Sequence, residues 1–230
     1  MVFYRFFYYI CIGMKNVLTQ LRNIPVTSAC IASLYPKVKT KWKMMEQLEM
    51  ADEIIRLKRN LYVVNPEETG VKLSMGLMAN HLLAPSYVSM STALRYYGLI
   101  PEAVYATQSV TLKPSKAFNT PLGYFSFTHI AKEAYPIGLV QIKEDGVTYV
   151  MASPEKALCD LVANTPGLNL RFKTEAMKFL EEDLRFDMER FVSFDRDILA
   201  AYTKVGKKAN SIQTILKLLN NLRFAAANRN

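Results

Sequence analysis

Leu139-Val140-Gln141-Ile142-Lys143-Glu144-Asp145-Gly146-Val147-Thr148-Tyr149-Val150-Met151-Ala152-Ser153-Pro154-Glu155-Lys156-Ala157-Leu158-Cys159-Asp160 decides the fold class of this chain. Its first half is two apolar, β-branched and aromatic runs around Asp145-Gly146. That dipeptide suits a type I′ turn, because both central residues there need positive φ. A β-hairpin is therefore predicted, with strands over residues 139–143 and 147–151. The second half changes period. Ser153 is a good N-cap, Pro154 suits the first helical position, and Glu155 lies near the positive end of the helix dipole. A hairpin running into a capped helix makes this an α+β chain.

The pattern continues upstream. Ser89 is a helix N-cap whose hydroxyl can accept from a free first-turn amide. Ala93, Leu94 and Tyr97 follow at helical spacing. Gly98 suits the left-handed position after the helix, Leu99 is the apolar residue beyond it, and Pro101 blocks continuation. Residues 104–111 and 124–130 read as strands, and 71–83 as a helix burying Leu77, Met78 and Leu82. Downstream, Asn164-Thr165-Pro166-Gly167 is a turn. Thr174 then caps a helix with Met177, Leu180 and Leu184 at helical spacing. Residues 186–202 continue in the same mode until Gly206. A last helix starts at Asn210 or Ser211 and carries the stripe Ile212, Ile215, Leu216, Leu219 and Leu222.

The N-terminal part is organised differently. Residues 1–13 are almost continuously apolar around Arg5. They are too short for a bilayer span of roughly 20 residues, and they lack a small-residue cleavage site. They read as an extension outside the working protein or as an apolar strand or helix docked on its body, with a short membrane anchor as a further alternative. Residues 14–23 form a predicted helix stopped by Pro25. Thr27 caps a second, over 28–34, which Tyr35-Pro36 ends. A third, over 40–50, places Val38, Trp42, Met45 and Leu48 inward and Lys39, Thr40, Lys43 and Gln47 outward. Two short strands, 54–57 and 61–64, join through Lys58-Arg59-Asn60, where Asn60 tolerates positive φ.

Helix, helix, turn, helix and a basic two-stranded wing is the order of a winged helix-turn-helix, whose last helix enters the DNA major groove. Lys39, Lys43 and Gln47 are placed to reach phosphates or base edges. Arg56, Lys58 and Arg59 sit where a wing meets the backbone. The polar run Asn65-Pro66-Glu67-Glu68-Thr69-Gly70 reads as a domain boundary. The chain divides into a leader (1–13), a winged helix-turn-helix (14–65) and an α+β unit (66–230). That last unit has an α+β core (66–165) and a helical part (166–230).

Composition narrows the partners. The 230 residues are 50% hydrophobic and carry a formal net charge of +9, which favours polyanions: nucleic acid or an acidic membrane surface. Cys11, Cys30 and Cys159 are odd in number and widely spaced, so neither a disulfide framework nor a zinc site is expected, and a reducing cytoplasm is the natural setting. His81 and His129 lack metal-binding spacing and read as structural. No phosphate-cradling glycine loop and no nucleophile elbow occurs. Ser86 has no evident His-Asp pair to activate it. Glu155 and Asp160, five apart, do not share a helix face tightly, so catalysis and cofactors are not expected. Residues 198–230 hold no acid against six cations. They read as a solvated face paired with the acidic segment before it, with a contact surface as the alternative.

Several motifs in order resemble the AbiEi family, the antitoxins of the AbiE abortive-infection toxin–antitoxin systems. They are Ile55-Arg56-Leu57-Lys58-Arg59-Asn60-Leu61-Tyr62-Val63, Pro85-Ser86-Tyr87-Val88-Ser89, Ala93-Leu94-Arg95-Tyr96-Tyr97-Gly98-Leu99-Ile100-Pro101-Glu102, Ser109-Val110-Thr111, Thr120-Pro121-Leu122-Gly123 and Ser153-Pro154-Glu155-Lys156-Ala157-Leu158-Cys159-Asp160. The resemblance spans roughly residues 27–161. Asn60 departs from it, standing where a wing glycine is expected, and so does the apolar leader. The resemblance implies an autorepressor that binds repeats in its own promoter, joined to a domain that neutralises a cognate nucleotidyltransferase toxin, without requiring a stable complex. The DNA contacts would be Lys39, Thr40, Lys43, Gln47, Lys58 and Arg59, and the exposed candidates for neutralisation are Arg95, Lys113 and Lys116. Two rivals remain: a stand-alone winged-helix regulator whose C-terminal domain senses a ligand or partner, and a metal-dependent nuclease using Glu155 and Asp160.

Overall fold

The computed structural model describes residues 17–102 and 104–228; the leader and residues 14–16 of the predicted first helix lie outside them, and within the rest of that stretch Thr19–Leu21 forms a short 3-10 helix. Thr27 opens helix α1 (Ser28–Ser33) by accepting from the Cys30 amide at 3.3 Å. Helix α2 (Lys41–Met50) follows. The Lys41 ammonium donates back to the carbonyls of Ala32 (3.1 Å) and Tyr35, so groups left over at the end of α1 find a donor. Strands β1 (Ile54–Lys58) and β2 (Leu61–Val64) then pair antiparallel. Val26 adds a third segment through two hydrogen bonds with Tyr62, at 2.8 and 2.9 Å.

Asn60 takes φ 63° in the hairpin turn. Its side chain does what a glycine there cannot. Asn60 Oδ1 accepts from the backbone N–H and the hydroxyl of Ser28, at 3.2 and 2.5 Å, and pins the turn to the start of α1.

The polar run after Val64 is itself a short helix, α3 (Pro66–Thr69), capped by Asn65. Helix α4 (Met75–Leu82) is shorter than the predicted 71–83, because Ser74 caps it from inside that range. Strand β3 (Ser86–Val88), helix α5 (Met90–Tyr96) and strands β4 (Ala106–Thr111), β5 (Lys116–Thr120), β6 (Gly123–His129), β7 (Leu139–Glu144) and β8 (Val147–Ala152) come next. They build a six-stranded sheet in the order β5-β6-β4-β3-β8-β7. Its two ends are hairpins. Asp145 and Gly146, at φ 47° and 78°, make the β7–β8 turn. In the middle, β3 runs antiparallel to β4 and parallel to β8.

Helix α6 (Pro154–Asn164) starts as its sequence prescribes, with Ser153 Oγ accepting from the Lys156 amide at 3.3 Å. It packs against α5 and two later helices, α9 (Arg196–Val205) and α10 (Ala209–Ala227). Between them lie α7 (Lys173–Lys178), a π-type turn over Phe179–Asp183, and α8 (Met188–Phe191). The predicted single mode over 186–202 is broken in two because Asp187 and Asp195 each cap a separate helix. With α1 to α10 and two sheets among the described residues, the chain is mixed α+β.

The carboxyl end of α5 closes as expected. Gly98 has φ 69°, its amide bonds the Arg95 carbonyl, and the Leu99 amide bonds that of Leu94, both at 2.9 Å. This paired closure buries Leu99 against the helix. The amino end does not close as expected. Ser89 makes no cap bond; its hydroxyl is used elsewhere, and Gln108 Oε1 of β4 accepts from the Ser91 amide at 2.9 Å instead.

Two apolar cores result. A small one holds Leu18, Ile31, Met45, Leu48, Ile54, Tyr62 and Val64. The large one lies around the sheet and α4 to α10. Strand β2 joins them. Tyr62 and Val64 face the small core, while Leu61 and Val63 face the large one. Both faces are buried, which is why the strand reads as an unbroken apolar run. The hairpin therefore offers solvent only its turn and the outer edge of β1.

Candidate functional site

Helix α2 carries the first group of candidate residues. It buries Met44, Met45 and Leu48. Trp42, predicted to face inward, is 71% exposed. The 3.6-residue period fits either Trp42 or Met44 beside Met45 and Leu48, and the placement of α1 and the hairpin selects Met44. Lys43 and Gln47, four residues apart, share one exposed flank. Thr40 is the exposed N-cap of α2 with its hydroxyl unused in capping, and Lys39 precedes it, also exposed. The other flank is acidic. Glu46 and Glu49 line an open groove of about 770 Å³ with Trp42, Met50 and Arg56.

The hairpin carries the second group. Arg56 and Arg59 are exposed. Lys58 is half-buried and turns toward the large core, where its ammonium donates to the Leu82 carbonyl at 2.5 Å. It also lies 5.9 Å from the centroid of the Phe118 ring. Desolvation, then the nearby Lys113 and Lys116, hold Lys58 below its ordinary value.

The candidates for neutralisation do not form one group. Lys113 and Lys116 are exposed, and Lys116 sits 4.9 Å from the same Phe118 ring. Arg95 is exposed at the end of α5 and donates to the Pro101 carbonyl. There it adjoins Glu102, which pairs with Arg185 at 2.6 Å.

Acidic and hydroxyl chemistry converges at a buried point instead. Asp160 Oδ2 accepts from the Tyr87 hydroxyl (3.0 Å) and the Ser89 hydroxyl (2.7 Å). Its Oδ1 accepts from the Tyr202 hydroxyl (2.9 Å) and faces Lys156 Nζ at 3.2 Å. Lys156 also donates to the Ala134 carbonyl at 2.7 Å and lies 4.4 Å from the centroid of the Tyr202 ring. Burial raises Asp160 and lowers Lys156, while their pairing opposes both shifts. It also drives the Tyr87, Tyr202 and Cys159 groups upward, so none of these ionises near neutrality. Lys156 was not singled out in the sequence. The available signal was a Lys–Asp pair four apart among the apolar residues Ala157, Leu158, Leu161 and Val162 of one helix.

The node is sealed: Lys156 and Asp160 have no exposure. Glu155 points elsewhere, with Oε1 accepting from the Asp195 amide at 3.0 Å, so it supports the start of α9. These two carboxylates do not meet as a metal or acid–base pair. Among the described residues no group of three or more His, Cys, Asp or Glu is placed to hold a metal ion. Among them, too, no helix is long and apolar enough to cross a membrane. His81 and His129 are exposed, and His129 Nδ1 lies 3.2 Å from the Lys113 carbonyl.

Compared with known families and with curated proteins, the chain matches no family model and no curated protein.

Proposed function

We propose that this chain is a cytoplasmic, DNA-binding antitoxin without catalytic activity of its own. A winged helix-turn-helix at its N-terminus binds promoter repeats and represses its operon, and the α+β unit neutralises a cognate nucleotidyltransferase toxin. The observation that carries the DNA reading is the order α1, turn, α2, hairpin, with Lys43 and Gln47 on an exposed flank of α2 and Arg59 exposed at the hairpin tip. Helix flank and hairpin tip are the two places where such a module meets the groove and the backbone. The antitoxin reading rests on the resemblance of the ordered motifs to the AbiEi family. Against an enzyme that works through Asp160, its carboxylate is sealed and engaged by four donors.

The test has two arms. Full-length protein is titrated against a duplex from its own promoter, as wild type and as Lys43→Ala/Arg59→Ala. The adjacent gene is also induced in cells alone, with the full chain, and with the chain lacking residues 1–65. The expected results are promoter binding weakened at least tenfold by the double substitution, and growth arrest relieved by co-expression. Wild-type binding by the variant would remove the assigned DNA face. A neighbour that is not toxic, with promoter binding intact, would replace this reading by a stand-alone regulator.

A further inference from the structure

The six-stranded sheet ends in two unlike edges. Strand β5, at one end, is flanked by β1 of the N-terminal hairpin. Strand β7, at the other end, pairs only with β8 among the described residues. The turn after β7 fixes which of its backbone groups face outward. Asp145 and Gly146 make a two-residue turn, so Glu144 and Val147 exchange both hydrogen bonds across it. Bonding then alternates along the strand. Ile142 and Val140 bond toward β8, and Gly138 continues the series by accepting from the Ser153 amide at 2.7 Å. The N–H and C=O groups of Leu139, Gln141 and Lys143 therefore point away from the sheet. On β8, side chains claim the groups that point away from β7. Asn80 bonds both the N–H and the C=O of Val150, at 2.7 and 3.3 Å, and the Tyr97 hydroxyl donates to the Ala152 carbonyl at 3.0 Å. No described residue does this for Leu139, Gln141 or Lys143. Leu139, Val140 and Ile142 are also only half-buried.

We infer that β7 is a dimerisation edge, which pairs with β7 of a second copy and joins two sheets into one. This does not rest on the function proposed above. Identical edges related by a two-fold axis run antiparallel, so the strand must be complementary to its own reverse. One register meets that condition. With the axis at Gln141, Gln141 faces Gln141 of the other copy, and Leu139 faces its Lys143. Every outward N–H and C=O of these residues then has a partner, and Val140 lies opposite Ile142 of the other copy. Moving the axis by one residue either way carries an outer pair beyond the strand end. Placing it at Lys143 sets two lysines against each other, which is unfavourable. A lysine on an edge strand is a common guard against strand addition. Here Lys143 falls opposite Leu139, so it selects the register and does not block it. An unlike strand could use the same backbone groups. A second copy is favoured because the outward residues and both apolar residues between them find complements in their own reverse. With β5 flanked by β1, each copy offers one open edge, so assembly closes at two copies and does not grow into a fibre.

The experiment follows the mass of the full chain by sedimentation equilibrium over a broad concentration series. Wild type is compared with Gln141→Pro, Gln141→Lys and Gln141→Glu, each checked for native circular dichroism. Gln141 is exposed and its N–H points away from β8, so proline there leaves the β7–β8 ladder in place. Wild type is expected to dimerise. Gln141→Pro should raise the dissociation constant about tenfold or more, because the bonds at the axis are lost. Gln141→Lys and Gln141→Glu should each raise it roughly threefold to fivefold, since like charges meet at the axis. An equimolar mixture of those two should recover wild-type association, because opposite charges then face each other. A wild type that stays monomeric overturns the inference. So does a dimer that Gln141→Pro leaves intact, or a mixture that associates no better than either charged variant alone. Hydrogen exchange tests the occupant. The amides of Leu139, Gln141 and Lys143 should gain protection as concentration rises. Protection at every concentration means that the edge is covered within one chain, and the inference is wrong. Protection gained only on adding the product of the adjacent gene means that an unlike strand is the occupant, and the inference is again wrong.

Discussion

Lys156 Nζ and Asp160 Oδ1 lie 3.2 Å apart, one helical turn from each other, with neither side chain exposed to solvent. Tyr87, Ser89 and Tyr202 complete the shell around the carboxylate. The sheet, α6 and α9 are thus tied at a single point. Taking two charges out of water costs several kcal/mol each, and the pair offsets this only while both members are present.

Asp160→Asn and Lys156→Met are each expected to destabilise the chain by about 3–5 kcal/mol, because each leaves a buried group uncompensated. The double variant should lose clearly less than the sum. Urea denaturation of the four proteins measures this as a coupling energy. Additive losses would mean the ion pair is not the element that holds the node together.

The Asn60 turn makes a separate prediction. Asn60→Gly keeps the positive φ and loses the two bonds from Ser28. Asn60→Ala loses both bonds and adds left-handed strain of roughly 1–2 kcal/mol. Stability should therefore fall in the order wild type, Asn60→Gly, Asn60→Ala. Thermal unfolding checks the order, and a glycine variant at least as stable as wild type would show that the side-chain bonds contribute nothing.

His81 lies within the field of the Lys58 ammonium. Partial desolvation, then the Lys58 ammonium, hold it below its ordinary value. A group depressed in the fold contributes stability that is present above its unfolded value, about 6.5 for histidine. That contribution is lost as pH falls through the folded value. Stability should therefore drop as the solution is acidified below about pH 6.5. Lys58→Met should raise the His81 midpoint, read by NMR. The chain has two histidines, so His129→Gln identifies the signal. A His81 midpoint indifferent to Lys58→Met would separate the two groups.

Trp42 is the single tryptophan of the chain and is 71% exposed on α2. Its emission in the folded protein should lie close to that of the unfolded chain. Saturating promoter duplex should quench or shift it if α2 enters the groove. An unchanged spectrum at saturation counts against that placement of α2.

Features that belong to single residues were legible in advance. The Asp145-Gly146 turn, the Gly98 closure, the Asn60 turn and the Ser153-Pro154 start all formed, because each states a backbone dihedral or a cap within a few residues. Strands β3 and β5 were missed. One is three residues long, and the other is an exposed edge whose Lys-Ala-Phe-Asn-Thr shows no apolar alternation. For Ser89, a local amide and a carboxylate 71 residues away competed for one hydroxyl, and the buried charge won.

The sequence by itself determined the α+β class, the helix–helix–hairpin order at the N-terminus and the surplus of positive charge. It did so because turns, caps and periodicity are local statements of backbone geometry. Only the tertiary structure decided which face of α2 is buried, that β2 lies between two cores, and that Lys58 and Lys116 meet at Phe118. The same holds for the sealed Lys156–Asp160 node. These depend on how separate elements pack, and packing brings together residues whose separation along the chain carries no signal of their contact.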